Sequence, residues 1–202
     1  MKRMVLMALL AMALPLAAVA GSVDFTNSTG VLSGSSAGLS LSGSELIAVN
    51  GLNGLGLVTG GLGSVSFSTG ALMAGGSLQM GGTFASGGSF SITGNGTDGI
   101  PNTTIFSGSF SGPVTWTVIT LSNGTHNYEL TGAISGTWWN GTTVFGATTQ
   151  LTINTGKGFF NGSTNISSGD TNITAVPEPG TLGLLGTGLL GLAGALHRKL
   201  KA

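Results

Sequence analysis

Between Gly21 and Val176 the chain repeatedly sets one apolar side chain between two hydroxyls or amides. Ser64-Val65-Ser66-Phe67-Ser68, Ser89-Phe90-Ser91-Ile92-Thr93, Ser109-Phe110-Ser111, Val114-Thr115-Trp116-Thr117-Val118 and Gln150-Leu151-Thr152-Ile153-Asn154 all follow this rule. Successive side chains of a strand point to opposite faces, so period-two alternation builds a sheet with one apolar and one polar face. No stretch of this body carries the apolar period of an amphipathic helix. Disorder, the competing reading of a segment built from Gly, Ser, Thr and Asn, goes with high net charge and few aromatic or β-branched residues. Here charge is scarce and the alternating segments are rich in both, so the body reads as all-β.

Turn chemistry agrees. Asn-Gly occurs at Asn50, Asn53, Asn95, Asn123, Asn140 and Asn161, and this dipeptide suits the two positive-φ positions of a type I′ hairpin turn. In Thr137-Trp138-Trp139-Asn140-Gly141-Thr142-Thr143-Val144-Phe145 such a turn pairs Trp139 with Thr142, Trp138 with Thr143 and Thr137 with Val144. The chain has no cysteine, so packing and backbone pairing, not disulfides, must hold it. From Val31 to about Gly88 the body is glycine-rich and weakly patterned; from about Ser89 to Ile173 it carries all three Trp and most of the Phe. That contrast suggests one domain with a loose first half. Phe67, Phe90 and Phe110 recur in Ser-Phe-Ser settings, a faint solenoid-like echo. The expected fold is a single Gly/Ser/Thr-rich β-sandwich of jelly-roll or Greek-key type, with a β-solenoid as the alternative.

Both ends differ from the body. Lys2 and Arg3 precede an apolar run from Met4 to Leu14, then Pro15 and Ala18-Val19-Ala20, which is the pattern of a secretory signal peptide over residues 1–20, cut after Ala20. At the other end, Pro177-Glu178-Pro179-Gly180 is followed by an uncharged run from Thr181 to Leu196 and by His197-Arg198-Lys199-Leu200-Lys201-Ala202. Sixteen helical residues rise about 24 Å against a hydrocarbon core of about 30 Å, so the segment only just spans, with Lys199 and Lys201 of the flanking basic set Arg198, Lys199 and Lys201 snorkelling from its far end. Basic residues beside a span stay cytoplasmic, which puts the body, about 155 residues from 21 to 175, outside. The expected organisation is a signal helix, an extracytoplasmic body and a tail, residues 176–202, with a transmembrane helix at 181–196.

The triplet Pro177-Glu178-Pro179, the glycine-rich span and the basic terminus together resemble the PEP-CTERM sorting signal of Gram-negative bacteria. The resemblance implies passage through the secretion machinery and transient anchoring in the inner membrane. It further implies removal of the tail near Pro-Glu-Pro by exosortase, a membrane enzyme resembling a cysteine transpeptidase. The implied destination is the cell surface or an extracellular matrix of exopolysaccharide, as in a biofilm. It covers about 27 residues and leaves the body's family unrecognised.

Chemistry in the body is sparse. Its ionisable side chains are Asp24, Glu45, Asp98, Glu129, Asp170 and Lys157, five acids less one base, net −4; such a surface offers nothing to nucleic acid. His126 is the body's single histidine, so a two-histidine zinc site is excluded and any Ser-His-Asp triad would need it. Glu45 and Glu129 are the only glutamates available for a glycosidase pair. The loop from Asn95 to Asn102 alternates oxygen ligands as a calcium loop does, with a single carboxylate. Trp138 and Trp139, beside a turn, suggest a stacking platform for sugar rings, although neighbouring strand residues face opposite ways and core packing competes for both. Eight of the twelve asparagines lie in Asn-x-Ser/Thr sequons, Asn27, Asn123 and Asn140 among them. No enzyme, metal or cofactor is expected. The expectation is a surface or matrix structural protein, with a carbohydrate-binding surface module as the alternative.

Overall fold

The computed structural model describes residues 22–174, which form one compact unit. Strand β1 (Ser22–Ser28) bends at residues 29–30 into β2 (Val31–Ser35), and a tight turn leads into the 13-residue β3 (Gly38–Asn50). β4 (Val58–Ser68) follows, then β5 (Gly82–Phe84) and β6 (Gly87–Gly94), β7 (Thr104–Phe110) and β8 (Val114–Thr120), β9 (His126–Trp138), β10 (Thr143–Asn154), and finally β11 (Ser163–Asn165) and β12 (Ser168–Thr174). Among the described residues the helical segments are two short 3-10 turns, Leu52–Gly54 and Thr97–Gly99.

Register shows that these twelve strands are eight staves. β1 and β2 pair successively along β3, Asp24 with Asn50 and Ser35 with Gly38. β5 and β6 run along β8 and β7, Gly82 with Trp116 and Ile92 with Phe106. β7 and β8 share β9, Phe106 with Trp138 and Thr120 with His126. β12 and β11 run along β1 and β2 with one unbroken offset, Ser22 with Thr174 and Ser33 with Ser163. The interruptions, at residues 29–30, 85–86, 111–113 and 166–167, are bends within a stave. Consecutive staves pair antiparallel, and the last returns to the first. The result is a closed, eight-stranded, up-and-down β-barrel.

This corrects the expected sandwich, jelly-roll or Greek-key, and equally the solenoid. Alternation specifies that one face is buried, a condition that a sandwich and a barrel meet alike. The β1–β12 pairing, which joins the last stave to the first, decides between them, and it joins residues from opposite ends of the body. The glycine-rich first half is not loose: it supplies β2 through β5, each paired with its neighbours, with two bulges where β3 runs along β4. The expected signal helix and the transmembrane helix at 181–196 lie outside the described residues; within those residues no helix is long and apolar enough to cross a membrane.

The alternation itself holds. Val65, Phe67, Phe90, Ile92, Phe110, Val114, Trp116, Leu151 and Ile153 are all buried in one continuous apolar cluster, while Ser64, Ser66, Thr115, Thr117 and Gln150 are exposed. An eight-stranded barrel is just wide enough for side chains to fill it, and aromatic rings do much of the filling. Phe67, Phe90 and Phe110 stand on three neighbouring staves and pack together, the first two stacked at 6.0 Å and the third edge-on to both. The Ser-Phe-Ser echo is therefore one interior layer visited by successive staves. Where β7 meets β9 the staves approach closely at the glycine pair Gly108 and Gly136. A Cβ on Gly136 would lie 2.2 Å from the Ser107 carbonyl oxygen and 2.8 Å from the Phe106 ring. Apolar inside and hydroxyl outside is the reverse of a membrane-spanning barrel.

Candidate functional site

Antiparallel staves sort the loops onto two rims. Ser22 and Thr174, paired with each other, lie on one rim together with residues 51–57, 95–103 and 139–142. We term this the exit rim. The opposite rim carries residues 36–37, 69–81, 121–125 and 155–162.

The opposite rim is plugged. Trp116 and Tyr128 stack at 4.9 Å, with Phe160 against both. Trp116 Nε1 donates to the Leu78 carbonyl at 2.9 Å, Tyr128 Oη donates to the Gln79 carbonyl at 2.7 Å, and the Phe160 amide donates to Tyr128 Oη at 3.0 Å. These bonds tie the long β4–β5 connection across the barrel mouth and satisfy the polar atoms that the rings carry inside. His126 is 8% exposed, hydrogen-bonded through Nδ1 to Thr120 Oγ1 at 3.1 Å and stacked on Phe159 at 4.2 Å. Its environment is that of a packed rim residue.

Other candidates are separated by the barrel. Glu45 on β3 and Glu129 on β9 belong to staves four apart in a ring of eight, and the interior between them is filled. Glu129 instead accepts from Gln150 Nε2 at 2.8 Å. In the 95–102 loop, Asn95 Oδ1 accepts from the Thr97 amide at 3.0 Å and Asn95 Nδ2 donates to the Gly61 carbonyl at 2.7 Å, so the side chain of Asn95 closes the turn and ties it to β4. Among the described residues there is no group of three or more His, Cys, Asp or Glu side chains able to hold a metal. A shallow outer groove of about 680 Å³ runs over β1, β12, β10 and β9 and is lined by Asp24, Thr131, Thr148, Gln150, Asp170 and Asn172. Asn172 donates its side-chain amide to the Asp24 carboxylate there. Of the sequons, Asn27 is 2% exposed and donates to Ser44 Oγ at 2.7 Å, which removes it from the reach of any modifying enzyme.

The paired tryptophans divide as strand geometry requires. Trp138 is 8% exposed and packs inside against Phe25 at 6.0 Å and Phe106 at 5.9 Å, so it presents no ring for stacking a ligand. Trp139 is 39% exposed and stands edge-on to Trp138 at 5.4 Å. The turn that holds it differs from the expected one by a residue: Thr137 pairs with Thr143 and Gly136 with Val144. The Gly141 amide bonds to the Trp138 carbonyl and the Trp138 amide to the Thr142 carbonyl. Gly141 alone takes a positive φ, +84°, while Asn140 keeps an ordinary one. This is a type I turn closed by a left-handed glycine, a three-residue hairpin loop. Asn140 Oδ1 accepts from the Thr142 amide at 3.0 Å instead of facing a type I′ partner. The turn at Asn123-Gly124 has the same bonds, Gly124 to Leu121 and Leu121 to Thr125.

Two exposed apolar residues on the exit rim went unnoticed in the sequence. Phe145 is 62% exposed, pushed outward where β10 bulges between Val144 and Ala147, and Leu57 is 67% exposed at the start of β4. A signal existed: Trp138-Trp139 and Val144-Phe145 are apolar doublets that break the alternation, and one member of each must face out.

Pro177, Glu178 and Pro179, with Arg198, Lys199 and Lys201, lie outside the described residues. Comparison with protein families matches residues 175–199 to the PEP-CTERM protein-sorting motif, a signal for exosortase-dependent export to the cell surface. No curated protein and no solved structure matches the chain.

Proposed function

We propose that this protein is a non-enzymatic structural component of the cell surface or extracellular matrix. After secretion of the signal-peptide-bearing chain, an exosortase-like transpeptidase separates the barrel from its sorting tail near Pro177-Glu178-Pro179, and the barrel comes to rest among exopolysaccharide. The sorting motif at residues 175–199 carries the first part of this reading. The outer face supports the second. It is built of hydroxyls and amides with few charges, and such groups exchange hydrogen bonds with hydrated sugar chains as readily as with water. A filled interior, in place of a ligand-holding cavity, fits a structural role.

Intact mass of the protein recovered from the native host's surface and medium tests it. A species beginning near Gly21 and ending between Pro177 and Gly180, released when the matrix polysaccharide is digested, is the expected result. A species still carrying residues 181–202 would make the tail a permanent anchor and overturn the proposal.

The exposed ring of Trp139 favours one second reading, a carbohydrate-binding module that stacks a sugar on that ring. Binding to a glycan array, lost on Trp139→Ala with the fold intact, would establish it.

A further inference from the structure

We propose that the exit rim is a membrane-resting surface, with Leu57, Trp139 and Phe145 seated among lipid headgroups while the sorting tail still holds the chain in the bilayer. This rests on the reading of the tail as a transient anchor.

The three side chains are among the exposed large apolar residues of the described chain, and topology sets them on an arc around the chain's point of departure. The loop that leads to Leu57 begins at Gly51, whose Cβ would lie 2.6 Å from the Ser22 carbonyl oxygen, so it starts beside the first residue of β1. Ser22 pairs with Thr174, and β12 lies along β10 with Asn172 opposite Thr148. Phe145 stands three residues further along β10 towards the same rim, and Trp139 is on the turn that joins β9 to β10. The arc thus runs from Leu57 past both described chain ends to Phe145 and Trp139.

Chain length then selects the occupant. Seven Cα steps separate Thr174 from Thr181, where the apolar run begins, and these reach at most about 25 Å. Twelve-residue staves tilted by about 40° stand roughly 30 Å tall. With residues 181–196 in the bilayer, the exit rim is held within reach of the surface. The opposite rim exposes more large apolar side chains, Met73, Met80, Ile119, Leu121 and Phe159, but it is farther away than the linker extends, so reach and not exposure selects the exit rim. Trp settles at the boundary between headgroups and hydrocarbon, and Phe and Leu are the apolar side chains that interfacial segments bury there. The described residues of this rim add no Lys or Arg, so the surface recognised is the apolar interface, not anionic lipid charge. A barrel resting in this way would present Pro177-Glu178-Pro179 at a fixed height to a membrane enzyme.

The test uses the full chain in phosphatidylcholine vesicles whose acyl chains are brominated close to the headgroup, with tryptophan emission as the readout. Trp116 and Trp138 are buried, so Trp139 is the reporter, and quenching should remove up to about a third of the emission of three tryptophans. Quenching should vanish in Trp139→Gln and return when Phe145→Trp is added to that variant, but not when Ile119→Trp is added on the opposite rim. If the chain floats with the vesicles and Trp139 is not quenched, the resting surface is wrong and the anchor stands. If the chain does not float, the anchor reading fails and takes this proposal with it. Self-association relieved by Leu57→Ser and Phe145→Ser, without quenching by lipid, would assign the rim to a second copy. Trp139 shielded from aqueous iodide in lipid-free detergent solution, and exposed on deletion of residues 181–202, would assign it to the tail. Either result overturns the proposal.

Discussion

Phe90 shows how much a single side chain carries here. Its ring touches Phe67, Phe106 and Phe110 at centroid distances of 6.0–6.2 Å in the middle of a filled barrel. Truncation leaves a void that strands bonded on both sides cannot collapse to fill. Phe90→Ala should therefore cost about 3–5 kcal/mol of unfolding free energy, read from the midpoint and slope of a urea titration. Trp139 is larger, yet it is 39% exposed and stands edge-on to Trp138 at the rim, outside the filled interior. Trp139→Ala should stay within about 1 kcal/mol of the parent, so that any loss of glycan or membrane binding reports the surface and not the fold. Gly136 fails in the opposite direction from Phe90: a methyl group there meets the Ser107 carbonyl across the strand pair and the Phe106 ring beside it. Gly136→Ala should cost about 1–3 kcal/mol by overpacking in the same titration.

The hairpin joining β9 and β10 shows what the sequence made legible and what it did not. Alternation placed Phe90, Trp116 and Leu151 on the buried face, because that rule depends only on the geometry of one strand. Asn-Gly located the turn, because a glycine at a left-handed position leaves few alternatives. The register slipped by one because Asn-Gly serves two turn families. In the type I′ family both residues take positive φ; in the observed one only Gly141 does, and Asn140 spends its side chain on the Thr142 amide. Nothing within the dipeptide separates them. Trp138 was half-legible for the same reason, since two adjacent tryptophans must part but local pattern does not say which one enters. The turn geometry itself predicts a contrast between glycines. Gly141→Ala forces a Cβ into a left-handed conformation and should lower stability by about 1 kcal/mol. Gly112 sits in the bend between β7 and β8 with open space where a Cβ would go and without a positive φ. Gly112→Ala should be neutral or stabilising by up to about 1 kcal/mol through the unfolded chain, and the two melting temperatures should move apart.

At the level of the whole chain, closure governs both what the molecule resists and what the sequence concealed. An open eight-stranded sheet with this alternation would bury its apolar face only by folding over as a sandwich, leaving edges with unpaired N–H and C=O groups. The barrel removes those edges by pairing residues 22–33 with residues 163–174. No local pattern encodes that partnership. It depends on eight staves of matched length and tilt, and the bends at residues 29–30 and 166–167 occur near each other on paired staves, so both halves keep one register. A chain lacking residues 163–174 would retain seven staves and all three tryptophans. It would, however, expose one flank of β1 and β2 and, along residues 148–152, the flank of β10 that β12 covers, and open the Phe25 side of the core to water. Such a chain should lose the cooperative thermal transition of the parent and sediment as aggregates at concentrations where the parent is monodisperse. Deleting the same number of residues from the tail, beyond Thr174, should leave the transition in place. A truncated chain that melted cooperatively as a soluble monomer would show that seven staves can close alone and that the β1–β12 pairing is not what holds the barrel.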